Sequence, residues 1–344
     1  MVLYLFLLLL SFIVHSILFI PYINLLYNFK FQRQKQKTKD ALGNRTPIFD
    51  SFHKNKSGTP VGGGLLIILI TVFLFILTFI GLKFMWYPIT SIYTSIGEEI
   101  KIVLFVFCAF SLVGIYDDVK KTFITKKETF FGLRLRHKLI LETIVSFIAA
   151  YWLYYYLHID IINIPLIGVF HLGFWYIPFA AFVILAFANA LNITDGLDGL
   201  ATGLFLISLF ALWVVSASIF DTTLSVFTSI LIGGLIAFLY YNVYPARIFL
   251  GDVGALSFGA TFAVIGLLLG KPFGLIIMGG IFVFEAFTSL SQLSWKRIFH
   301  KKLFPVSPFH LYLQFKGWPE PKITMRLWLI GLVLGIVGLM LSFI

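Results

Sequence analysis

Ten stretches of predominantly apolar residues, near 2–28, 61–82, 100–118, 138–157, 174–190, 197–218, 223–243, 254–270, 273–295 and 324–344, occupy most of this 344-residue chain. A helix needs about 20 such residues to cross a bilayer core, so each stretch is a candidate transmembrane helix. The first is not a signal peptide: it lacks a basic start, runs too long, and leads into a basic segment where a small-residue cleavage site would stand. With 60% of the residues hydrophobic and 12% charged, a soluble globule of this size has no means of hiding the apolar surface. The expected fold is therefore all-α, a polytopic membrane protein of ten helices forming one integral domain over 1–344. No internal repeat or soluble domain is evident. The one cysteine, Cys108, excludes an internal disulfide framework and any cysteine-based metal cluster.

Ten spans make the loops alternate between sides. The loops near 29–60, 119–137, 191–196, 244–253 and 296–323, with their borders, carry 23 of the 26 Lys and Arg residues, leaving Lys83, Lys101 and Lys271 opposite. The positive-inside rule makes the basic side cytoplasmic and puts both termini outside. It also accounts for the formal charge of +11 without a nucleic-acid partner, while a basic membrane face attracts anionic lipid and anionic substrates.

Charge near lipid is costly unless it has a partner or a task, so the acidic residues point to function. Asp117 and Asp118 end the third span after Gly114-Ile115-Tyr116. There the two carboxylates repel each other and meet the unfavourable end of the helix dipole. Either Lys120 and Lys121 neutralise a solvated helix end, or the pair serves a divalent cation or a phosphate-chemistry site with a general base, since hard oxygen ligands suit magnesium.

In Asn189-Ala190-Leu191-Asn192-Ile193-Thr194-Asp195-Gly196-Leu197-Asp198-Gly199, polar groups recur every three residues across the junction of the fifth and sixth spans. That spacing keeps them on one broad helical face, and the glycines allow close approach of a ligand to the backbone. Between the seventh and eighth spans lies Asn242-Val243-Tyr244-Pro245-Ala246-Arg247-Ile248-Phe249-Leu250-Gly251-Asp252-Val253-Gly254. Asp252 alone reads as a helix N-cap; with Arg247, the glycines and Phe249 it reads as a phosphate- and base-binding turn.

The segment Ser307–Lys322 is either an amphipathic connector or part of a site, with His310 structural or catalytic accordingly. Glu285 and Gln292, seven apart, share a helix face suited to lining a polar cavity, while His15 reads as packed or hydrogen-bonded inside the first span. Glycosylation sequons at Asn44, Asn55 and Asn192 fall on the cytoplasmic side and carry no functional expectation.

Together these stretches resemble, in order and spacing and over nearly the full length, the polyprenyl-phosphate N-acetylhexosaminyl-1-phosphate transferase superfamily. Two motifs, His53-Lys54-Asn55-Lys56-Ser57-Gly58-Thr59-Pro60-Val61-Gly62-Gly63-Gly64 and Lys316-Gly317-Trp318-Pro319-Glu320-Pro321-Lys322, make it most similar to the branch that transfers phospho-MurNAc-pentapeptide. The resemblance implies a ten-helix enzyme of the bacterial inner membrane, often a homodimer, with its active site at the cytoplasmic face. It further implies magnesium-dependent transfer of phospho-MurNAc-pentapeptide from its UDP derivative to undecaprenyl phosphate, giving lipid I and UMP for peptidoglycan synthesis.

Carried over by motif, Asp117 and Asp118 match an aspartate pair that activates the lipid phosphate and organises the metal site, and Asp252 matches a magnesium ligand, with Asp118 as its companion. Lys56, Asn192, Asp195 and Asp198 match positions lining the nucleotide-sugar cleft, and Asn189, Asn242 and Gln292 join them as substrate-binding candidates. Lys121 and Phe249 match a pair that grips and stacks on uracil. His310 matches a catalytic histidine that opens a run of three, which here reads His310-Leu311-Tyr312; Val61 and Ala255 stand where the motifs usually have Thr and Ser.

Phosphoryl transfer is catalysed mainly by alignment and charge stabilisation. On this reading Asp117 deprotonates or orients the lipid phosphate, which attacks the β-phosphorus of the sugar diphosphate. Inside the superfamily the alternative is a polyprenyl-phosphate GlcNAc-1-phosphate or related HexNAc-1-phosphate transferase. A membrane transporter or lipid flippase is the rival from another class, but it is expected to carry ionisable groups near mid-bilayer and inverted repeats.

Overall fold

The computed structural model describes residues 1–32, 56, 58–124 and 135–344. His53, Lys54, Asn55 and Ser57 of the first motif, the sequon at Asn44, and Arg33, Lys35, Lys37, Lys39, Arg45, Lys126, Lys127 and Arg134 of the basic loops lie outside the described residues.

Helices α1 (Val2–Asn28), α2 (Gly63–Phe84), α3 (Ile96–Val119) and α4 (Leu135–Leu157) are followed by a β-hairpin, β1 (Ile161–Ile164) and β2 (Gly168–His171). Next come α5 (Tyr176–Thr194), α6 (Leu200–Ser218), α7 (Thr222–Asn242), α8 (Gly251–Leu268), α9 (Pro272–Met278), α10 (Gly280–Phe299), α11 (Phe309–Phe315) and α12 (Glu320–Phe343). Among the described residues nine helices are long and apolar enough to cross a membrane, ten if α9 and α10 count as one bent span. The chain is a multi-pass membrane protein, and large apolar side chains such as Leu9, Phe73, Phe182 and Met325 project from its outer surface.

Three expectations need correction. The fold is not purely helical: Ile161 to Ile164 pair antiparallel with His171 to Gly168. The ninth stretch is not one straight helix; α9 and α10 bend by 78° at the Gly279-Gly280 pair. A bend frees backbone groups that need new partners in an apolar setting, and Ser208 Oγ donates to the Met278 carbonyl at 2.8 Å. The loop expected at 191–196 lies at 195–199, between Thr194 and Leu200, and those at 244–253 and 296–323 are shorter because α8 starts at Gly251 and α10 runs to Phe299. The last of these loops contains α11 as well.

At the end away from the motifs, side chains satisfy helix N-termini: Asp221 accepts from Leu224 N at 2.9 Å to cap α7, and Ser95 caps α3. The axis of the molecule is α8, in which every residue is buried. Small residues make this possible by letting neighbouring backbones come close. A Cβ added to Gly64 on α2 would strike the Gly254 backbone, one on Gly114 of α3 would strike Asp252 and Val253, and one on Gly259 would strike Phe187 and Ala188 of α5. Three helices thus approach α8 through glycines, and the first two contacts lie at the end that carries the acidic motifs.

Candidate active site

Asp117 and Asp118 sit in the last turn of α3, and Asp252 in the first turn of α8. Because α3 meets α8 at Gly114, one turn before the aspartates, the carboxylates from two distant stretches converge. Lys121 lies on a π-helical turn, Lys120–Ile124, that continues α3, and its Nζ is 2.9 Å from Asp117 Oδ2 and 2.8 Å from Asp252 Oδ1. Lys138, in the first turns of α4, reaches Asp252 Oδ2 at 2.5 Å and Asp117 Oδ2 at 3.5 Å. Two carboxylates therefore share two ammonium groups in a largely buried cluster whose formal charges balance. Balance matters here, since removing one partner from a buried ion pair strands the other charge.

Asp118 faces elsewhere, because consecutive helical side chains are about 100° apart. Its Oδ2 accepts from Val253 N at 3.1 Å, satisfying an N–H that the first turn of α8 leaves without a helical partner. Asp117 and Asp252 are the carboxylates that meet Lys121 and Lys138, while Asp118 Oδ2 lies against the start of α8. Asp252 is not the N-cap, since Leu250 occupies that position. Replacing Asp118 with Ala strands the Val253 N–H, so unfolding in detergent should show about 1–3 kcal/mol of lost stability; an unchanged unfolding curve would remove Asp118 from this role.

A second cluster lies beside the first. Lys56 Nζ is 2.7 Å from Asp198 Oδ1, 2.5 Å from Glu320 Oε1 and 5.9 Å from the centre of the Phe249 ring. Asp198 is a hub: its backbone N–H donates to Glu320, its Oδ2 accepts from Ala246 N at 2.9 Å, and its carbonyl accepts from Thr324 Oγ1 at 3.3 Å. The first motif is stitched to the same place, since the Phe249 N–H donates to Pro60 O while Gly62 N and Gly63 N donate to Phe249 O. Phe249 lies beside Lys56 in this cluster, and Lys121 meets Asp117 and Asp252 in the first.

On the third side, Asn189 Nδ2 donates to Glu142 Oε2 at 2.7 Å. Asn192 and Asp195 are half-buried at the end of α5. His310 is held by Glu285, which accepts from its backbone N–H at 3.0 Å and lies 3.2 Å from its Nδ1. The opposite edge of the ring packs on Gly196, where a Cβ would strike Nε2, so the last loop is brought against the Asp195–Asp198 turn.

Two candidates are bonded to the scaffold. Asn242 accepts from Thr202 Oγ1 at 3.0 Å and donates to Ile248 O at 2.9 Å, holding the turn before α8. Gln292 accepts from Leu303 N and Phe304 N and donates to Phe304 O. Glu285 and Gln292 thus both grip the last loop. His15 is packed as expected, its Nδ1 2.8 Å from Ser11 O and its ring against Gly234.

Lys138, Glu142 and Glu320 are not singled out as site residues by sequence, although Lys138 and Glu142 carry a legible signal. They are opposite charges four residues apart entering an apolar span, which is costly without a task.

Residues 100–270 match the family described as glycosyl transferase family 4. The chain is 36% identical over 299 residues to a phospho-N-acetylmuramoyl-pentapeptide-transferase of Clostridium novyi, covering 83% of each protein. It is 35% identical over 303 residues to that of Borreliella afzelii, covering 83% of this chain and 82% of the relative. Against that of Clostridium perfringens it is 34% identical over 319 residues, covering 91% of this chain and 90% of the relative. With similarity at this level along most of both partners, and with the motif carboxylates of α3 and α8 gathered at one end of the bundle, the chain belongs to the phospho-N-acetylmuramoyl-pentapeptide-transferase family.

Proposed function

We propose that this chain transfers phospho-MurNAc-pentapeptide from its UDP derivative to undecaprenyl phosphate, producing lipid I and UMP at the cytoplasmic face of a bacterial inner membrane. The observation that carries the reading is the sharing of two lysine ammonium groups by Asp117 and Asp252, carboxylates from two helices. An arrangement that stabilises two positive charges between anions is suited to phosphate groups at the membrane surface. The side assignment rests on the basic loops, 23 of 26 Lys and Arg, which also puts both termini outside.

The donor set fits magnesium. Asp117 and Asp252 present hard oxygen ligands around positions that ammonium groups now take, as stand-ins for a cation. Among the described residues no three acidic, His or Cys side chains gather as a metal cluster, and magnesium characteristically takes one or two carboxylates, with substrate phosphates and water completing its shell. Bound there, the ion would supply charge stabilisation for the phosphoryl group and the departing UMP.

Asp117 then orients the lipid phosphate or takes its proton. An oxygen of that phosphate forms a bond to the β-phosphorus, and the bond from that phosphorus to the α-phosphate oxygen breaks, with the electron pair leaving on UMP. Lys121 and Lys138 move from the carboxylates toward the phosphates, while Lys56 and Phe249 hold the nucleotide end.

The test offers purified protein UDP-MurNAc-pentapeptide or UDP-GlcNAc with undecaprenyl phosphate. UMP release with the first substrate is expected to be abolished by EDTA and restored by magnesium. Turnover of UDP-GlcNAc alone would assign the chain to the HexNAc-1-phosphate alternative, and full turnover in EDTA would remove the metal.

A further inference from the structure

We propose that Glu142 is a positioning residue, which fixes the Asn189 side-chain amide so that its carbonyl oxygen, not its NH2 group, faces the substrate cleft. This corner of the cleft then offers the bound sugar a hydrogen-bond acceptor, matched by an N–H or O–H donor on the sugar. The inference rests on the sugar-nucleotide reading above.

The orientation follows from hydrogen-bond accounting. Asn189 Nδ2 lies 2.7 Å from Glu142 Oε2 and 3.0 Å from the Leu185 carbonyl oxygen. Both neighbours are acceptors, so both amide hydrogens are used, and turning the amide over would set its carbonyl oxygen against two other oxygens. What remains is Oδ1, an acceptor. Asn189 is half-buried whereas Glu142 is fully buried, so the amide is the part of this pair that reaches open space.

The place is also defined. Glu142 lies four residues after Lys138 on α4, on the same face, and Lys138 contacts Asp117 and Asp252. Asn189 lies one turn before Asn192 on α5. The fixed acceptor therefore stands beside the phosphate-handling cluster, where the sugar attached to that phosphate would lie. A buried carboxylate is costly as mere packing. The bond to Asn189 gives it a task that an apolar side chain cannot perform.

The experiment compares E142Q, E142A, N189D and the double variant N189D/E142Q in the detergent-purified full chain. Wild-type turnover is established first; its failure with both UDP sugars would overturn the proposed function rather than the role of Glu142. The glutamine introduced by E142Q still accepts from Asn189, so this variant is expected to keep KM for the sugar nucleotide within about 3-fold, while E142A raises it about 10-fold with a smaller change in kcat. N189D opposes two carboxylates and raises KM at least as much, and N189D/E142Q restores it in part, because the introduced amide donates to the introduced carboxylate while the Leu185 carbonyl oxygen still opposes that carboxylate. Inhibition by UMP, which lacks the sugar, stays unchanged in E142A and checks that the variant is folded. Equal losses in E142Q and E142A, no rescue in the double variant, or a parallel loss of UMP affinity would each overturn the proposal.

Discussion

Asp117→Asn and Asp252→Asn are each expected to lower the rate of UMP release by about 10²–10³-fold or more. Asn preserves the shape of the side chain and removes the charge. Lys121 and Lys138 each bridge both carboxylates, so either substitution leaves two ammonium groups sharing one carboxylate. In a buried cluster that imbalance also lowers stability, and turnover must therefore be expressed per folded protein. The loss should appear in kcat, because in the proposed mechanism these groups act on the phosphoryl group during transfer, whereas nucleotide recognition is given to Lys56 and Phe249. Wild-type kcat in either variant would exclude the shared-cation cluster as the centre of the reaction.

The second large effect comes from a residue with no functional group. Gly114→Ala should reduce turnover about 10²-fold, the scale expected when reacting groups shift by about 1 Å, and should cost about 1–3 kcal/mol of stability through overpacking. The added Cβ would press on the backbone of Asp252 and Val253, so relief requires α3 to move away from α8, carrying Asp117 away from Asp252. Gly97→Ala provides the control. It lies at the other end of α3 with nothing within 4 Å of the added atom, and both activity and stability should hold. If Gly114→Ala matches Gly97→Ala, the approach of α3 to α8 does not set the geometry of the site.

The helices were legible because the signal is thermodynamic and local: a span must be apolar over the thickness of the bilayer, and that requirement repeats down the chain. The break at Gly279 was less legible, since residues 273–284 are apolar on both sides of it and only Ser208, from another helix, provides for the freed carbonyl. The hairpin at 161–171 was missed for a related reason: each of its strands has only 4 residues, too few for a periodicity to register.

Motif carboxylates were legible because charge near lipid is rare, but their division of labour was not. Adjacent in sequence, Asp117 and Asp118 look alike; the helix turns one toward the lysines and the other toward the α8 backbone. Asn242 and Gln292 show what no local pattern announces. They are polar residues in apolar segments, and their amides complete backbone hydrogen bonds with turns that are set by tertiary packing.

The amino-acid sequence by itself determined that lipid surrounds this chain, roughly where it crosses, and which carboxylates are too costly to be incidental, because solvation energy is written residue by residue. Only the tertiary structure decided that Asp117 pairs with Asp252 across Lys121 and Lys138, that Glu320 and Asp198 hold Lys56, and that Glu142 orients Asn189. Those facts depend on how closely helices approach and how each is rotated about its axis. Both are set by glycine contacts between segments far apart along the chain, as Gly114 meets the backbone at Asp252.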